Sequence, residues 1–264
     1  QLAYFLQFVN GKIICRFNNN ICIFKIKMKP TNLEICRWKA VANQLELNQV
    51  ALNLILDSAM KSIRKRGEFH FVLSGGDTPR MVYQQLRSIH TNWSAWHIYF
   101  SDERCLSNGN QDLNSKMARE AWLDHVIIPK NQQHIIPVEL GARLAADEYS
   151  NTLRFVREFD LTLLGLGEDG PTASLFPGLE WGSLPGSPDA LPVFSAPKNP
   201  RHRVSMSAMR LSRSRQVVFL VNGESKHLAV TKWRKGFNIP AKSIMPVAGV
   251  DVLLESALLA PLFF

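Results

Sequence analysis

The sequence predicts an α/β fold, an open and mostly parallel sheet with helices on both faces. From about residue 30 onward, short runs rich in aromatic and β-branched residues alternate with segments of helical periodicity. One run, FDLTLLGL at residues 159–166, is almost continuously apolar, which is typical of a strand buried on both faces of a parallel sheet. The chain has 264 residues, of which 46% are hydrophobic, so it is long enough for one such domain.

The first predicted strand–helix unit contains a glycine turn in residues 69–80, FHFVLSGGDTPR. Thr78 is predicted to be the N-cap of the helix that follows. Gly75 and Gly76 allow a ligand to approach the backbone closely, and the free N–H groups of a helix start favour an anion. We therefore expect a phosphate seat at Gly75, Gly76 and the Thr78 hydroxyl, with the charge of Asp77 pointing away. The alternative is a plain turn that uses glycine for its shape.

Helical spacing extends over residues 39–66, as one helix or as two with a break near Asn48, and Gly67 is a plausible stop. The next strand is predicted at residues 96–101, WHIYFS. It ends in the charged segment 102–104, DER, and ligands of open α/β sheets usually bind at such carboxyl ends. The alternative is a loop ion pair between the aspartate and the arginine.

Another helix is predicted to begin with Asn114 as its N-cap. After a short strand at 134–138 and a helix at 142–156, the buried strand ends in residues 165–178, GLGEDGPTASLFPG. Three glycines and two acids in its first six positions exclude regular structure, and a short helix is expected to start at Thr172 or Ser174. We interpret this loop as a second candidate site. The alternative is a tight connection that binds nothing.

The remaining chain starts with a Pro-, Gly- and Ser-rich segment, residues 179–200, predicted as one long irregular excursion. Strands are expected at 203–206 and 216–221, and a final apolar run spans 247–254. Between them, a basic helix has Lys226 in its first turn, where the helix dipole disfavours a cation. This position suggests a lysine that faces a ligand, and the alternative is a solvated lysine.

Charge and composition exclude several classes of function. The formal net charge is +9, but there is no arginine-rich arm or aromatic-basic motif, so no nucleic-acid partner is expected. A modest basic excess suits an enzyme of anionic metabolites. No apolar run approaches the roughly 18–20 residues of a membrane span, so no membrane partner is expected. The four cysteines form no CxxC pair, which favours reduced thiols in a cytoplasmic protein without structural zinc.

Residues 1–27 differ from the rest, because they contain four basic residues and no acid. Our hypothesis is that Met28 is the natural start, that residues 1–27 are an atypical extension outside the fold, and that residues 28–264 form a single α/β domain. The alternative is a real edge hairpin with its turn at Asn10–Gly11.

Several stretches together resemble one known family, the 6-phosphogluconolactonases, whose fold is glucosamine-6-phosphate deaminase-like and Rossmann-like. They occur in the family's order and cover most of the chain after about residue 45. These stretches are SGGDTPR (74–80), SDER (101–104), Asn114, GLGEDGPTASLFPG (165–178), APKNPRHRVSMS (196–207), GESK (223–226) and PAKSI (240–244). Residues 1–27 match nothing in the family.

The resemblance implies hydrolysis of 6-phospho-D-glucono-1,5-lactone to 6-phospho-D-gluconate, a step of the oxidative pentose phosphate pathway. It implies no metal and no organic cofactor, and we expect a monomer or a homodimer. A phosphate dianion needs N–H donors, a guanidinium and an ammonium group. By resemblance, the substrate phosphate would contact Gly75, Gly76, Thr78, Arg104 and Lys226, with Arg203 as a further contact.

One position departs from the family pattern. The family motif DGHTASLFP contains a histidine, the proposed general base, and this chain has Pro171 there. A proline side chain cannot transfer a proton, and proline lacks an N–H. Another group could accept the proton, and the candidates are Asp169, Asp102 and Glu103, with His202 more distant. Alternatively, the protein is a weak or inactive homologue that only binds a sugar phosphate, or Pro171 is a sequence error.

We expect a working but altered lactonase. A six-membered lactone is already reactive, and positioning by the phosphate could leave useful activity after loss of a base worth roughly 10²–10⁴-fold. Two rival functions stay open, an amino-sugar phosphate isomerase-deaminase and a non-catalytic binding module. The ASLFP continuation after the candidate site favours the lactonase.

Overall fold

A computed structural model describes residues 35–260 and the backbone of three strands that precede them. The chain forms two compact units, Gln1–Glu34 and Ile35–Phe264. In the first, β1 (Phe5–Val9), β2 (Lys12–Phe17) and β3 (Asn20–Lys25) form an antiparallel sheet in this order. The proposed start at Met28 and the turn at Asn10–Gly11 lie outside the described residues, and the extension remains a prediction.

Within residues 35–260, the second unit contains ten strands in two sheets. They are β4 (Cys36–Val41), β5 (Phe69–Leu73), β6 (Trp96–Phe100), β7 (Asp102–Arg104), β8 (Gln133–His134), β9 (Leu161–Gly165), β10 (Ala190–Val193), β11 (Arg203–Met206), β12 (Val217–Val221) and β13 (Val250–Glu255). Seven of them form the main sheet in the order β4-β13-β12-β9-β5-β6-β8, and every neighbouring pair is parallel.

Six α-helices accompany these sheets among the described residues. They are α1 (Gln44–Arg66), α2 (Asp77–Leu86), α3 (Asn114–Ala121), α4 (Ala142–Leu153), α5 (Ala208–Ser212) and α6 (His227–Arg234). Every residue of β12 and nearly every residue of β9 and β13 is buried, because helices cover both faces of the main sheet. The predicted fold class is therefore confirmed.

The smaller sheet joins β10, β11 and β7 in antiparallel order. The DER segment is therefore a short strand rather than a loop. Its register places Arg104 opposite Arg203 and Asp102 opposite Ser205. Like charges directly opposite each other on neighbouring strands destabilise a sheet, so the pairing of Arg104 with Arg203 is unfavourable unless a negative charge lies near it.

The start of the domain differs from its prediction. Residues 36–41 form β4, which pairs with β13, so the helix begins only at Gln44. The side chain of Asn43 caps α1 by accepting from the Glu46 N–H at 3.0 Å. The helix is continuous through Asn48. It ends at Gly67, whose φ of +84° favours glycine, as predicted.

Two further expectations about local structure are wrong. Residues 190–193, in the segment predicted as irregular, form β10 because they pair with β11. No helix starts at Thr172 or Ser174. Instead, a tight turn forms in which Leu175 N–H donates to Thr172 O at 2.9 Å and Thr172 N–H donates to Leu175 O at 3.3 Å.

Three histidines stack across β5, β6 and β8 at one edge of the main sheet. The ring centroids of His70 and His97 are 4.8 Å apart, and those of His97 and His134 are 5.9 Å apart. Glu68 Oε1 lies 3.0 Å from His70 Nε2. Burial, followed by the charges of the two other rings, lowers the pKa of His134 to about 4, and burial also lowers the pKa of His97.

This stack makes stability depend on pH. An unfolded histidine titrates near 6.5, so the unfolded chain binds more protons at His134 between about pH 4 and 6.5. The neutral His134 ring therefore contributes to the unfolding free energy above pH 6.5, and this stabilising contribution is lost as the pH falls towards 4. We expect a loss of about 1–2 kcal/mol, since the ring is only half-buried. Urea unfolding at pH 7.5 and 5.0 measures it. His134→Gln should flatten the dependence, and His90→Gln, at an exposed site, should not.

Candidate active site

A cavity of about 930 Å³ opens at the carboxyl ends of β5, β6, β9 and β12. Residues 74–76 follow β5, residues 165–169 end and follow β9, and Lys226 follows β12. This edge is where an open parallel sheet binds its ligands. The cavity therefore unites both loops that were predicted as sites, together with β7.

The glycine turn forms one wall of the cavity, and Gly75 and Gly76 line it. A Cβ at Gly75 would lie 1.9 Å from Asn114 Oδ1, so only glycine fits there. Gly76, at φ +108°, is the N-cap of α2 and gives that helix no side-chain cap, so its first N–H groups suit an anion. The prediction of Thr78 as N-cap is wrong. Thr78 is the second residue of α2 and is not among the residues that line the cavity.

Asp77 does not oppose an anion in this wall. Its side chain is 84% exposed, and Oδ1 accepts from Arg80 Nη2 at 3.0 Å. The carboxylate therefore points away from the turn, as the phosphate seat requires.

Asp102 and Glu103 have different surroundings, because neighbouring residues of β7 point in opposite directions. Asp102 is buried in the cavity wall, and Oδ2 accepts from Ser174 Oγ at 2.6 Å. Its Oδ1 lies 3.1 Å from Ser101 Oγ and 3.4 Å from Asn114 Nδ2. The carboxylate therefore holds the loop that follows β9. The predicted alternative, an ion pair between Asp102 and Arg104, is absent from the described salt bridges.

Glu103 is 1% exposed and is not part of the cavity lining. Its carboxylate accepts the backbone N–H groups of Arg104, Asn114 and Ser115 at 2.9, 2.8 and 2.7 Å. Burial raises the pKa of Glu103. Glu103 thus caps α3 from a neighbouring strand, and Asn114, predicted as the N-cap, is the first helical residue. This geometry argues against Glu103 as a proton acceptor for a ligand.

Five cationic side chains line the cavity. Arg104, Arg203 and Lys226 were predicted, whereas Lys198 and Lys232 were missed. Lys226 ends a 3-10 helix just before α6, and its side chain is 25% exposed. Lys198 could have been predicted, because it lies in the APKNPRHRVSMS stretch that resembles the family, but no sequence feature distinguishes Lys232.

The arginine pair is partly fixed in place. Arg203 donates from Nε to Pro200 O at 3.0 Å and from Nη2 to Lys198 O at 3.2 Å. Its guanidinium carbon lies 5.7 Å from the ring centroid of Phe176. Burial, followed by the charge of Arg104, lowers the pKa of Arg203, and Asp102 opposes this shift. Arg104 is anchored by a hydrogen bond from Nη1 to the Asp112 carbonyl.

Two exposed acids, Glu168 and Asp169, line the cavity from the loop after β9. Glu168 lies between two lysines, with Oε1 3.9 Å from Lys226 Nζ and Oε2 3.8 Å from Lys198 Nζ. No described salt bridge includes Asp169. His202 is exposed, packs its ring edge-on against Phe194 with centroids 5.7 Å apart, and is not among the lining residues.

Pro171 lines the cavity and closes this loop tightly. The Gly167 N–H donates to Pro171 O at 2.7 Å, and a Cβ at Gly167 would lie 2.4 Å from Pro171 Cγ. Ala173 has a φ of +48°, which is uncommon for a residue other than glycine. Hydrogen bonds to Asp102, across the turn at Thr172 and between Gly167 and Pro171 therefore brace the loop between Gly167 and Leu175.

Among residues 35–260, no group of three histidine, cysteine, aspartate or glutamate side chains could hold a metal ion. None of the helices described here is both long and apolar enough to cross a membrane.

Comparisons with known proteins point to one family. A profile of the family described as glucosamine-6-phosphate isomerases/6-phosphogluconolactonase matches residues 42–255. The GDH/6PGL endoplasmic bifunctional protein of Homo sapiens is 33% identical over 238 residues, which are 84% of this chain and 30% of that protein. The chain thus spans less than a third of this relative's length.

A shorter relative matches over most of its own length. The 6-phosphogluconolactonase of Synechocystis sp. is 36% identical over 197 residues, 71% of this chain and 80% of that protein. A crystal structure of a 6-phosphogluconolactonase from Thermotoga maritima shares the fold, with a TM-score of 0.77 at 23% identity over 84% of this chain and 100% of that chain. Because the family profile covers most of the sequence, the chain belongs to the glucosamine-6-phosphate isomerase/6-phosphogluconolactonase family.

Proposed function

We propose that this protein hydrolyses 6-phospho-D-glucono-1,5-lactone to 6-phospho-D-gluconate. The observation that supports this most is the convergence on one cavity of Arg104, Arg203 and Lys226 with the N-terminus of α2, which has no side-chain cap. A guanidinium, an ammonium group and backbone N–H donors together suit a phosphate dianion. The relatives named 6-phosphogluconolactonase support the choice of ester.

In this proposal the phosphate binds at Gly75 and Gly76 beside Arg104, with Arg203 and Lys226 as further cationic contacts. A phosphate held at one end leaves the lactone ring over the loop after β9, where Asp169 and Pro171 lie. Thr78 is given no phosphate contact in this proposal, because it does not line the cavity.

The hydrolysis needs an attacking water, a group that accepts its proton, and a proton for the leaving ring oxygen. Of the two lining aspartates, Asp102 already accepts hydrogen bonds from Ser101, Asn114 and Ser174. Asp169 is exposed to the cavity and free of such bonds among the described contacts. We therefore assign proton acceptance to Asp169 and a positioning role to Asp102.

Arg104→Ala tests the binding part of the proposal. Loss of the guanidinium should raise KM for the lactone at least ~10-fold, since a charge-assisted hydrogen bond contributes roughly 1.5–3 kcal/mol. The measurement is a coupled assay of lactone hydrolysis with the rate of spontaneous opening subtracted. Arg157→Ala, at an exposed position outside the cavity, is the control. An unchanged KM for Arg104→Ala would contradict the proposed phosphate seat.

Two further measurements, ammonia release and phosphosugar binding, separate the rival functions when they are compared with the lactonase assay. Ammonia release from glucosamine 6-phosphate would favour an isomerase-deaminase, and phosphosugar binding without faster lactone opening would favour a binding module. The proposal also includes a cytoplasmic protein that is a monomer or a homodimer. Cell fractionation and light scattering test these two points.

A further inference from the structure

Three buried polar atoms in the cavity wall have no hydrogen-bond partner within the described part of the chain. They are Ser74 Oγ, Thr172 Oγ1 and Arg104 Nε. Ser74 is 5% exposed and Thr172 is 2% exposed. An unsatisfied buried polar group is costly, and native proteins keep few of them. Of the nine such side-chain atoms among the described residues, these three are the ones in the cavity wall, where a ligand could supply the missing partners.

The two hydroxyl groups are held by well-bonded backbone. Ser74 follows β5, and both its N–H and its carbonyl bond the Tyr83 hydroxyl at 3.1 Å. Thr172 lies in the loop after β9, the neighbour of β5 in the sheet, and its backbone is engaged with Leu175. Of the polar groups of Ser74 and Thr172, the side-chain oxygens are the ones without a partner, and both residues belong to the cavity wall.

The chemistry of these groups differs from that of the cations. A phosphate dianion offers acceptors only, and Arg104, Arg203 and Lys226 supply charged donors for it. A hydroxyl side chain can donate and accept at the same time, and a sugar hydroxyl has the same two capacities. Neutral hydroxyls that lack partners are therefore complementary to the polyhydroxylated part of a ligand.

We propose that Ser74 and Thr172 form a sugar-hydroxyl subsite, next to the proposed phosphate seat at Gly75 and Gly76, that selects polyhydroxylated phosphate esters over phosphate alone. This inference rests on the proposed function, because it assigns part of the same substrate to these two residues. They are specificity residues, which bind the ring hydroxyls equally in the ground state and the transition state. Their loss should therefore weaken binding and raise KM rather than lower kcat.

The subsite also has a signature in the stability of the free protein. Thr172→Val has nearly the same shape and removes an oxygen that lacks a partner, so it should leave the thermal midpoint unchanged or raise it. A hydroxyl with a structural role would lower the midpoint when removed. Weaker ligand binding without lower stability is therefore the expected pair of results.

Calorimetric titration with 6-phosphogluconate and with inorganic phosphate tests the inference. For Thr172→Val we expect 6-phosphogluconate to bind about 10-fold more weakly and phosphate to bind as in the wild type. Thr172→Ser keeps the hydroxyl and should restore most of the affinity. Thr152→Val, on α4 outside the cavity lining, is the matched control.

Several results would overturn the inference. They are an equal loss for both ligands, no loss for either, absence of 6-phosphogluconate binding by the wild type, or a hundredfold lower kcat with unchanged binding, which would place Thr172 at the reacting carbonyl. If the wild type binds 6-phosphogluconate but does not accelerate lactone opening, the proposed function fails. The comparison of the two ligands still decides the role of Thr172 in that case.

Discussion

Asp169→Asn is expected to lower kcat for lactone hydrolysis by about 10²–10⁴-fold, the usual value of a positioned general base. The amide keeps the size of the side chain but cannot accept the proton of the attacking water. The change should be confined to kcat, because Asp169 is not one of the residues proposed to bind the phosphate. Steady-state kinetics with subtraction of the spontaneous rate measure both constants.

Two control variants show whether a loss of kcat is specific to Asp169. Asp147→Asn, at an exposed position of α4, controls for the substitution itself and should behave as the wild type. Glu168→Gln tests the neighbouring acid, which contacts Lys226 and Lys198, and it should alter KM more than kcat. If Glu168→Gln lowers kcat as much as Asp169→Asn, the assignment of the proton acceptor to Asp169 is wrong.

The strongly local features of the fold could be predicted from the sequence. The apolar run around β9 and the glycine after α1 each determine one element by themselves, and both predictions hold. β10 was missed because a four-residue strand that contains Pro192 has little local signal and exists through its pairing with β11. Residues 39–41 were predicted as the start of a helix, but they belong to β4, whose place at the edge of the sheet depends on pairing with β13, more than 200 residues later.

Prediction of the candidate site was also limited by long-range contacts that the local sequence does not reveal. The sequence predicts three acids, Asp102, Glu103 and Asp169, as candidate proton acceptors, but it does not show which of them could reach a substrate. The pleat of β7 separates Asp102 from Glu103, and the nearby α3 uses Glu103 as its cap. That β7 is a strand follows from its pairing with β11, a contact between residues about 100 positions apart. Lys232 could not be predicted either, because the packing of α6 against the domain determines which face of this helix lines the cavity.

Pro171→His should leave kcat unchanged or raise it, with an upper limit of roughly 10²–10⁴-fold set by the value of a general base. The substitution returns a titratable ring and an N–H to the position where the family motif has histidine. The expected gain is largest if Asp169 is a poor substitute for that ring. Kinetics of the wild type and the variant, together with thermal unfolding to verify the fold, measure it.

The packing of the loop around Pro171 shows which control variant Pro171→His needs. Pro171 Cγ lies so close to Gly167 that no Cβ fits there, so part of the proline's contribution is rigidity. Pro171→Ala removes this rigidity, worth about 0.4–1 kcal/mol, without adding a base, and the difference between the two variants isolates the imidazole. In the double variant with Asp169→Asn, the histidine should reduce the loss caused by the asparagine, since one proton acceptor then replaces the other. A large fall in kcat for Pro171→His with the fold intact would instead mean that catalysis in this chain depends on the proline.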